Sequence, residues 1–196
     1  MPCQIRALSV VTVGIALSTL AAGGVSGLST EDDGFRWKVH DEDRPKTPVV
    51  AIKNGVPSDA VVLVGAGSGT DGLRSGDQPC LWSFEDGVLK VNPGTGDIHS
   101  REYFGDCQLH LEWMFPKGRS VNGQMGGNSG VFFLDRYEVQ ILHTFENESY
   151  ADGMAGSIYG QFPPLANPIN PAGQWNFYDI VFRGPRFDDE GDLVRP

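Results

Sequence analysis

Apolar and polar positions divide the chain into three stretches. Residues 7–30 carry no charged side chain and are apolar in their first half, with Gly, Ala and Ser gathering later. Only Arg6 and the amino terminus are charged before them. A charged start, a short greasy middle and a small-residue end predict a secretory leader over residues 1–27. An uncleaved membrane anchor ranks second, because the apolar middle is short for a span. Residues 28–59 are polar, contain Glu31-Asp32-Asp33 and Asp41-Glu42-Asp43-Arg44, and are punctuated by Pro45, Pro48 and Pro57. They predict a linker or arm.

From residue 60 onward, short apolar runs alternate with turn clusters. Val61-Val62-Leu63-Val64 predicts a strand. Leu81-Trp82-Ser83-Phe84 and Val88-Leu89-Lys90-Val91 flank Glu85-Asp86-Gly87, the signature of a hairpin with an Asp-Gly turn. Residues 107–113 alternate strictly, with Cys107, Leu109, Leu111 and Trp113 on one face and Gln108, His110 and Glu112 on the other. Further strand-like runs cover residues 131–134, 137–142 and 177–182. Nothing after residue 30 sustains a helical period. The pattern predicts an all-β domain over residues 60–196, an antiparallel two-sheet sandwich or jelly roll. Residues 184–196 read as a loop leading into a further strand, so the sandwich is expected to be incomplete at its C-terminus, with an open edge.

The 196 residues hold 15 Lys plus Arg against 25 Asp plus Glu, a net charge of −10. Removing the leader takes away Arg6 and no acid, leaving 14 against 25 and a net charge of about −11. Such a surface repels nucleic acid and anionic lipid and favours a neutral partner or a cation held by carboxylates. No membrane contact is expected beyond the export signal, and the location is periplasmic or extracellular. The glycines at 65, 67, 69 and 72 suggest a nucleotide loop. Thr70 stands where the dinucleotide fingerprint needs its third Gly, and no Gly-Lys-Ser/Thr follows, so no nucleotide is expected. Once the leader is gone two cysteines remain, Cys80 and Cys107. In an exported chain they form either a disulfide or two buried thiols. Oligomeric state leaves no mark in the sequence.

Two strands carry polar groups that a packed sheet does not need. His110 and Glu112 share one face of theirs. Glu138 and Gln140 share a face opposite Tyr137, Val139 and Ile141, and Arg136 stands just before, at the hairpin mouth. If both polar faces belong to one curved sheet, they line a groove suited to acid/base work on a sugar. His110, Glu112 and Glu138 could instead hold a divalent cation. The plainer reading is a solvated sheet face. Asn128, in Gly127-Asn128-Ser129-Gly130, sits at the rim of such a groove or serves as turn chemistry. His143 follows the Glu138 strand and faces the groove or water. Tyr159 lies in a long aromatic-rich stretch of the kind that binds ligands on sandwiches and could stack on a sugar. Trp175 could do the same, though core burial is the stronger expectation. Asn147-Glu148-Ser149 fits a glycosylation acceptor, a frequent chance match.

Several motifs occur in one order: Gly96-Asp97-Ile98, the run Gly-Asp-Cys-Gln-Leu-His-Leu-Glu-Trp at 105–113, Gly-Asn-Ser-Gly-Val-Phe at 127–132 and Arg-Tyr-Glu-Val-Gln-Ile-Leu at 136–142. Tyr-Ala-Asp-Gly at 150–153, Ile-Tyr-Gly-Gln-Phe-Pro-Pro-Leu at 158–165, Trp-Asn-Phe-Tyr-Asp-Ile-Val-Phe at 175–182 and Pro-Arg-Phe-Asp at 185–188 follow. Together they closely resemble the 3-keto-disaccharide hydrolase family. The resemblance implies a concanavalin-like jelly roll, a carbohydrate substrate and action on 3-keto-glycosides. Members of that family continue with further strands, and often carry Asp where this chain has His143.

The chemistry implied is cleavage of a glycosidic bond in a sugar already oxidised at C3. The ketone acidifies the C2 proton; a base removes it, the C1 leaving group departs, and water adds across the C1–C2 double bond. Glu138 is the expected base, with His110 or Glu112 as second acid/base or metal ligand. Arg136 and Gln140 are expected to hold the C3 oxygen or ring hydroxyls, and a divalent cation could stabilise the enediolate. The alternative is a non-catalytic sugar-binding module of the same fold. An ordinary endoglucanase ranks low, because Gln140 and His143 stand where a Glu-x-Asp-x-x-Glu run needs acids.

Overall fold

The computed structural model describes residues 4–12, 37–38, 40–46, 48–65, 67–119 and 122–195, with the backbone alone for residues 4–12 and 195. Residues 13–27 of the expected leader, Cys3, and the acidic run at 31–33 lie outside the described residues. Strands in chain order are β1 (Gln4–Thr12), β2 (Ile52–Lys53), β3 (Val56–Pro57), β4 (Val61–Val64), β5 (Leu73–Ser75), β6 (Gln78–Pro79), β7 (Ser83–Glu85) and β8 (Val88–Lys90). They continue with β9 (His99–Ser100), β10 (Cys107–Met114), β11 (Ser129–Phe133), β12 (Tyr137–Ile141), β13 (Trp175–Phe182), β14 (Arg186–Phe187) and β15 (Leu193–Arg195). The only helical turns among the described residues are short 3-10 turns at Gly123–Met125 and Ala151–Gly153, so no helix is long and apolar enough to cross a membrane.

The chain forms two compact units, Gly14–Asp59 and the remainder. Within the first, β2 and β3 make a tight hairpin whose turn residues, Asn54 and Gly55, both take positive φ. That is the backbone a two-residue turn needs to match strand twist, and Asn-Gly supplies it cheaply. The stretch expected to be a plain linker or arm therefore contains an ordered ribbon.

In the larger unit the strands resolve into a six-stranded antiparallel sheet, ordered β13-β10-β1-β8-β7 with β4 also paired to β1. Smaller ribbons, β11–β12, β14–β15 and β6–β5–β9, accompany it. The all-β expectation holds; the pairing divides into one large sheet and ribbons and not into two continuous sheets. The Asp-Gly hairpin forms as read, with Glu85 opposite Val88 and positive φ at Asp86 and Gly87. Of the segment expected to lead into a further strand, residues 184–195 turn back so that β15 pairs with β14.

β10 organises the core. Its Cys107, Leu109, Leu111 and Trp113 are all buried, and they join Leu63, Val64, Leu73, Leu89, Ile141 and Leu142. Each such side chain contributes roughly 1.5–3 kcal/mol through removal from water. On one edge β10 pairs with β13, from Cys107 opposite Phe182 to Met114 opposite Trp175. Its other edge pairs with β1, from Gln4 opposite Met114 to Thr12 opposite Cys107. The front of the stretch read as an export leader is thus an interior strand of this sheet. The hairpin β11–β12 lies on the core side, with Val131, Phe133 and Ile141 packed into the cluster and Phe133 stacked on Phe182 at 4.6 Å.

Cys80 and Cys107 are free thiols, so of the two readings left open the bridge is not formed. Cys107 is buried in the core and Cys80 packs against it, each filling space as a small apolar group. Burial, with the neighbouring charge of Asp106, pushes the Cys107 thiol up from its ordinary value.

Candidate active site

Strand β12 presents Val139 and Ile141 to one side and Glu138 and Gln140 to the other, because strand side chains alternate. Across the hairpin, Phe132 stands opposite Glu138 and Gly130 opposite Gln140, on the same face. The Glu138 side chain folds diagonally over Gly130. A Cβ at residue 130 would come within 2.1 Å of Glu138 Oε1 and 2.6 Å of its Cγ. Gly130 is therefore the floor under the carboxylate, a role its sequence context disguises as turn chemistry.

The segment after β12 folds back along it. Gln140 N–H donates to Ser157 O at 3.0 Å, Tyr159 N–H donates to Glu138 O at 3.0 Å, and Ile158 bridges Val139. This strand-like addition brings Tyr159 beside Glu138. The turn at Ala151–Gly153 then lays the Tyr150 ring over Gly153, where a Cβ would stand 2.1 Å from the ring. The Tyr150 and Tyr159 hydroxyls share a hydrogen bond, with the rings edge to face at 6.2 Å. That bond is the first cause pushing the Tyr150 hydroxyl up to about 12; burial and the neighbouring charges of Tyr159, Asp152 and Glu138 add to it. Tyr150 therefore stays protonated at neutral pH. Burial also raises the Glu138 carboxyl above its ordinary value. Among the described residues no cation or hydrogen-bond donor is recorded against that carboxylate.

The other residues expected at the groove divide. Asn128 is exposed at the rim and donates from Nδ2 to Gln124 Oε1 at 2.9 Å. Arg136 is exposed in the β11–β12 turn and makes no ion pair among the described residues. Gln140, expected to hold substrate, is fully buried; its Nε2 donates to Gln124 Oε1 at 3.1 Å and to Gly153 O at 3.4 Å. Gln124 Nε2 donates in turn to Ser149 Oγ at 2.7 Å and to Gly153 O at 2.9 Å. Gln140 is thus a brace beneath the tyrosine-bearing turn and not a substrate ligand. His143 is also buried, stacked face to face on Phe115 at 4.8 Å, and burial lowers its tendency to take a proton. It faces neither groove nor water. Asn147 is buried too, donating from Nδ2 to Gly123 O and His143 O, an environment unsuited to a glycan acceptor.

His110 and Glu112 lie elsewhere. Alternation turns them away from the buried side of β10, whereas the β11–β12 hairpin packs on that buried side. His110 Nδ1 is 2.7 Å from Asp179 Oδ1 and its Nε2 is 3.7 Å from Glu112 Oε1. Asp179, directly opposite His110 on β13, escaped sequence reading because the pairing spans 69 positions. The single groove expected around residues 110, 112 and 138 is therefore two sites on different faces. His110, Glu112 and Glu138 do not form a three-ligand metal site. Among the described residues, three ligating groups converge only at Asp188, Glu190 and Asp192, in an exposed turn. Trp175, expected chiefly in the core, is half-buried and lines the His110 cavity.

A wider concavity of about 600 Å³ lies along Thr144, Glu146, Asn147, Glu148, Ser149, Met154 and Asn167. It contains none of the expected acid/base residues and no aromatic side chain.

Residues 33–189 match the model of the 3-keto-alpha-glucoside-1,2-lyase-like domain. The chain belongs to this family. Among solved structures it is similar to a crystal structure from Parabacteroides distasonis ATCC 8503 that carries the working description of a glycosyl hydrolase. The likeness extends over 89% of this chain and 74% of that one, at 35% identity and a TM-score of 0.72. No curated protein matches the chain. Membership in the 3-keto-alpha-glucoside-1,2-lyase-like family bears out the resemblance seen in the motifs and implies a carbohydrate substrate. The matched range includes both the Glu138 face and the His110 face, so the choice between them rests on geometry.

Proposed function

We propose that the chain cleaves 3-keto-glycosides at the Glu138 face, on a concanavalin-like jelly-roll scaffold. One observation carries the assignment. A carboxylate of raised pKa, with no cationic partner among the described residues, is held over a glycine floor beside a hydrogen-bonded tyrosine pair. Such a carboxylate is a better base than an ion-paired one, because no bound cation holds its lone pairs.

The Glu138 carboxylate takes the proton from C2, and the electron pair forms an enolate whose charge rests on the C3 oxygen. The C1–O bond breaks as the C1–C2 double bond forms. Tyr150, with Tyr159 as its hydrogen-bonded relay, gives a proton to the departing oxygen and recovers one from water. Water then adds its hydroxyl to C1, while protonated Glu138 returns a proton to C2. The balance is glycoside plus water to 3-keto sugar plus alcohol. Phe132 and Tyr159 offer ring faces to the sugar, and Arg136 and Asn128 stand at the rim to meet hydroxyls. No step is routed through a metal ion, because the residues expected to hold one do not come together.

Glu138→Gln keeps the shape and removes the base. Turnover of 3-keto-trehalose and a 3-keto-glucoside should fall about 10²–10⁴-fold, the usual contribution of a positioned general base. Retention of near-native turnover would remove Glu138 from the reaction. Binding of sugar without product from the native chain would favour the non-catalytic module. The leader-like composition of residues 1–27 supports a location outside the cytoplasm; N-terminal sequencing of the protein from extracytoplasmic fractions tests it and shows whether the exported chain keeps β1.

A further inference from the structure

We propose that the outward face of β10 and β13 is a second saccharide site, one that holds a single unit of a longer neutral glycan. Residues directly opposite on paired strands share a face, so the pairs His110–Asp179, Glu112–Phe177 and Met114–Trp175 project together. His110, Glu112, Trp175, Asn176, Phe177 and Asp179 line a cavity of about 280 Å³. That lies just below the roughly 300–1,000 Å³ typical of small-molecule sites, room for one sugar ring and not for a chain.

The lining suits a sugar. Phe177 is 67% exposed in the middle of a strand, and its ring lies nearly parallel to the His110 imidazole at 6.5 Å. The exposed Phe177 ring offers an apolar surface of the kind that receives the C–H face of a pyranose. The imidazole hydrogen-bonds Asp179 at 2.7 Å and has a Glu112 carboxylate oxygen 3.7 Å from its other nitrogen. The Asp179 carboxylate, exposed beside the ring, is an acceptor for hydroxyl donors. An anionic ligand is disfavoured by these acids and by a chain of net charge −10. A cationic ligand must compete with His110 for its hold on Asp179. The site shares only its ligand class with the proposed function, since it contains no group used at Glu138.

The test titrates the full chain with maltohexaose and laminarihexaose, read by tryptophan fluorescence, with Trp175 in the cavity as reporter. Saturable binding is expected for at least one glucan. Phe177→Ala and Asp179→Asn should each weaken it at least tenfold, while Glu138→Gln leaves it unchanged. Both variant positions are exposed, so the fold is expected to survive; a native circular dichroism spectrum checks that. Neither variant should alter turnover of a 3-keto-glucoside too short to span two sites. No saturable response, equal affinity in all variants, or a response to spermidine in place of glucan overturns the proposal. Glucan binding without any 3-keto turnover would sustain this site and sink the catalytic reading instead.

Discussion

Replacing Gly130 by Ala disturbs the proposed base without touching it. The new Cβ would lie 2.1 Å from Glu138 Oε1, 2.6 Å from Cγ and 2.7 Å from Cδ. Non-bonded carbon contacts are comfortable at roughly 3.5–4.0 Å, so the carboxylate arm must retreat by about 1.4 Å or more. A misplacement of about 1 Å costs on the order of 10²-fold in rate, which is about 2.7 kcal/mol of barrier. Stability should suffer less. Gly130 does not use the left-handed backbone region, so Ala fits its φ and ψ, and the reduced freedom of the unfolded chain contributes roughly 0.4–1 kcal/mol of stabilisation. Against that stands the crowding of a long, half-exposed side chain able to swing outward, at the low end of the roughly 1–3 kcal/mol for overpacking. Gly130→Ala should thus lower kcat about 100-fold with the melting temperature within a few degrees of native. The decisive assay is a double-mutant cycle with Glu138→Gln. If the alanine acts through the carboxylate, it costs nothing further once the base is gone. The same 100-fold loss in the Glu138→Gln background, or native turnover in Gly130→Ala alone, would refute the reasoning.

Three further outcomes are expected. Because burial raises the Glu138 pKa and the base form is the ionised one, kcat/KM should rise with pH along an acid limb centred above the ordinary carboxyl value of 4.5. The linked effect on stability has the opposite sign: the native state holds its proton longer than the unfolded chain, so this contribution is lost as pH rises through the window from the ordinary to the raised value, and Glu138→Gln should flatten that slope in urea titrations at stepped pH. Gln140→Ala removes the brace under the tyrosine-bearing turn and should cost about 1–3 kcal/mol in chemical denaturation, with activity falling as Tyr150 and Tyr159 lose their placement; an unchanged midpoint would mean that the turn is held by other contacts. A chain beginning at residue 28 loses β1 and leaves edges of β10 and β4 without a partner. It should self-associate by light scattering, and a peptide of residues 4–12 should reverse that; a monomeric and equally heat-stable truncation would show that the sheet closes without β1.

The legible parts of this fold are local. The alternation of Cys107 to Trp113 specifies both a strand and its buried face, because the period of two leaves no other side for four apolar groups. Asp86-Gly87 specifies its own turn. The same alternation correctly places His110 with Glu112 and Glu138 with Gln140. It cannot say on which side of the core each face lies, because that depends on how β10 and the β11–β12 hairpin stack, a matter of long-range packing. Hence a single groove expected from sequence becomes two sites. Gln140 and His143 depart from expectation for a related reason: polar type suggests exposure, whereas here the amide is buried against Gln124 and Gly153 and the imidazole is buried against Phe115. The function of Gly130 and the Tyr150–Tyr159 contact were hidden because each depends on what a distant side chain does with the space. Residues 4–12 are read as part of an export leader and yet form an interior strand, two demands on one apolar segment that its composition alone satisfies equally well.

The central claim is that one carboxylate moves the proton at C2 of a 3-keto sugar. It is tested most directly by incubating a 3-keto-glucoside with the protein in deuterated water and following deuterium at C2 by NMR, with the uncatalysed exchange subtracted. The native chain should introduce deuterium at C2 and Glu138→Gln should fall to background. Exchange by Glu138→Gln at the native rate would contradict the account.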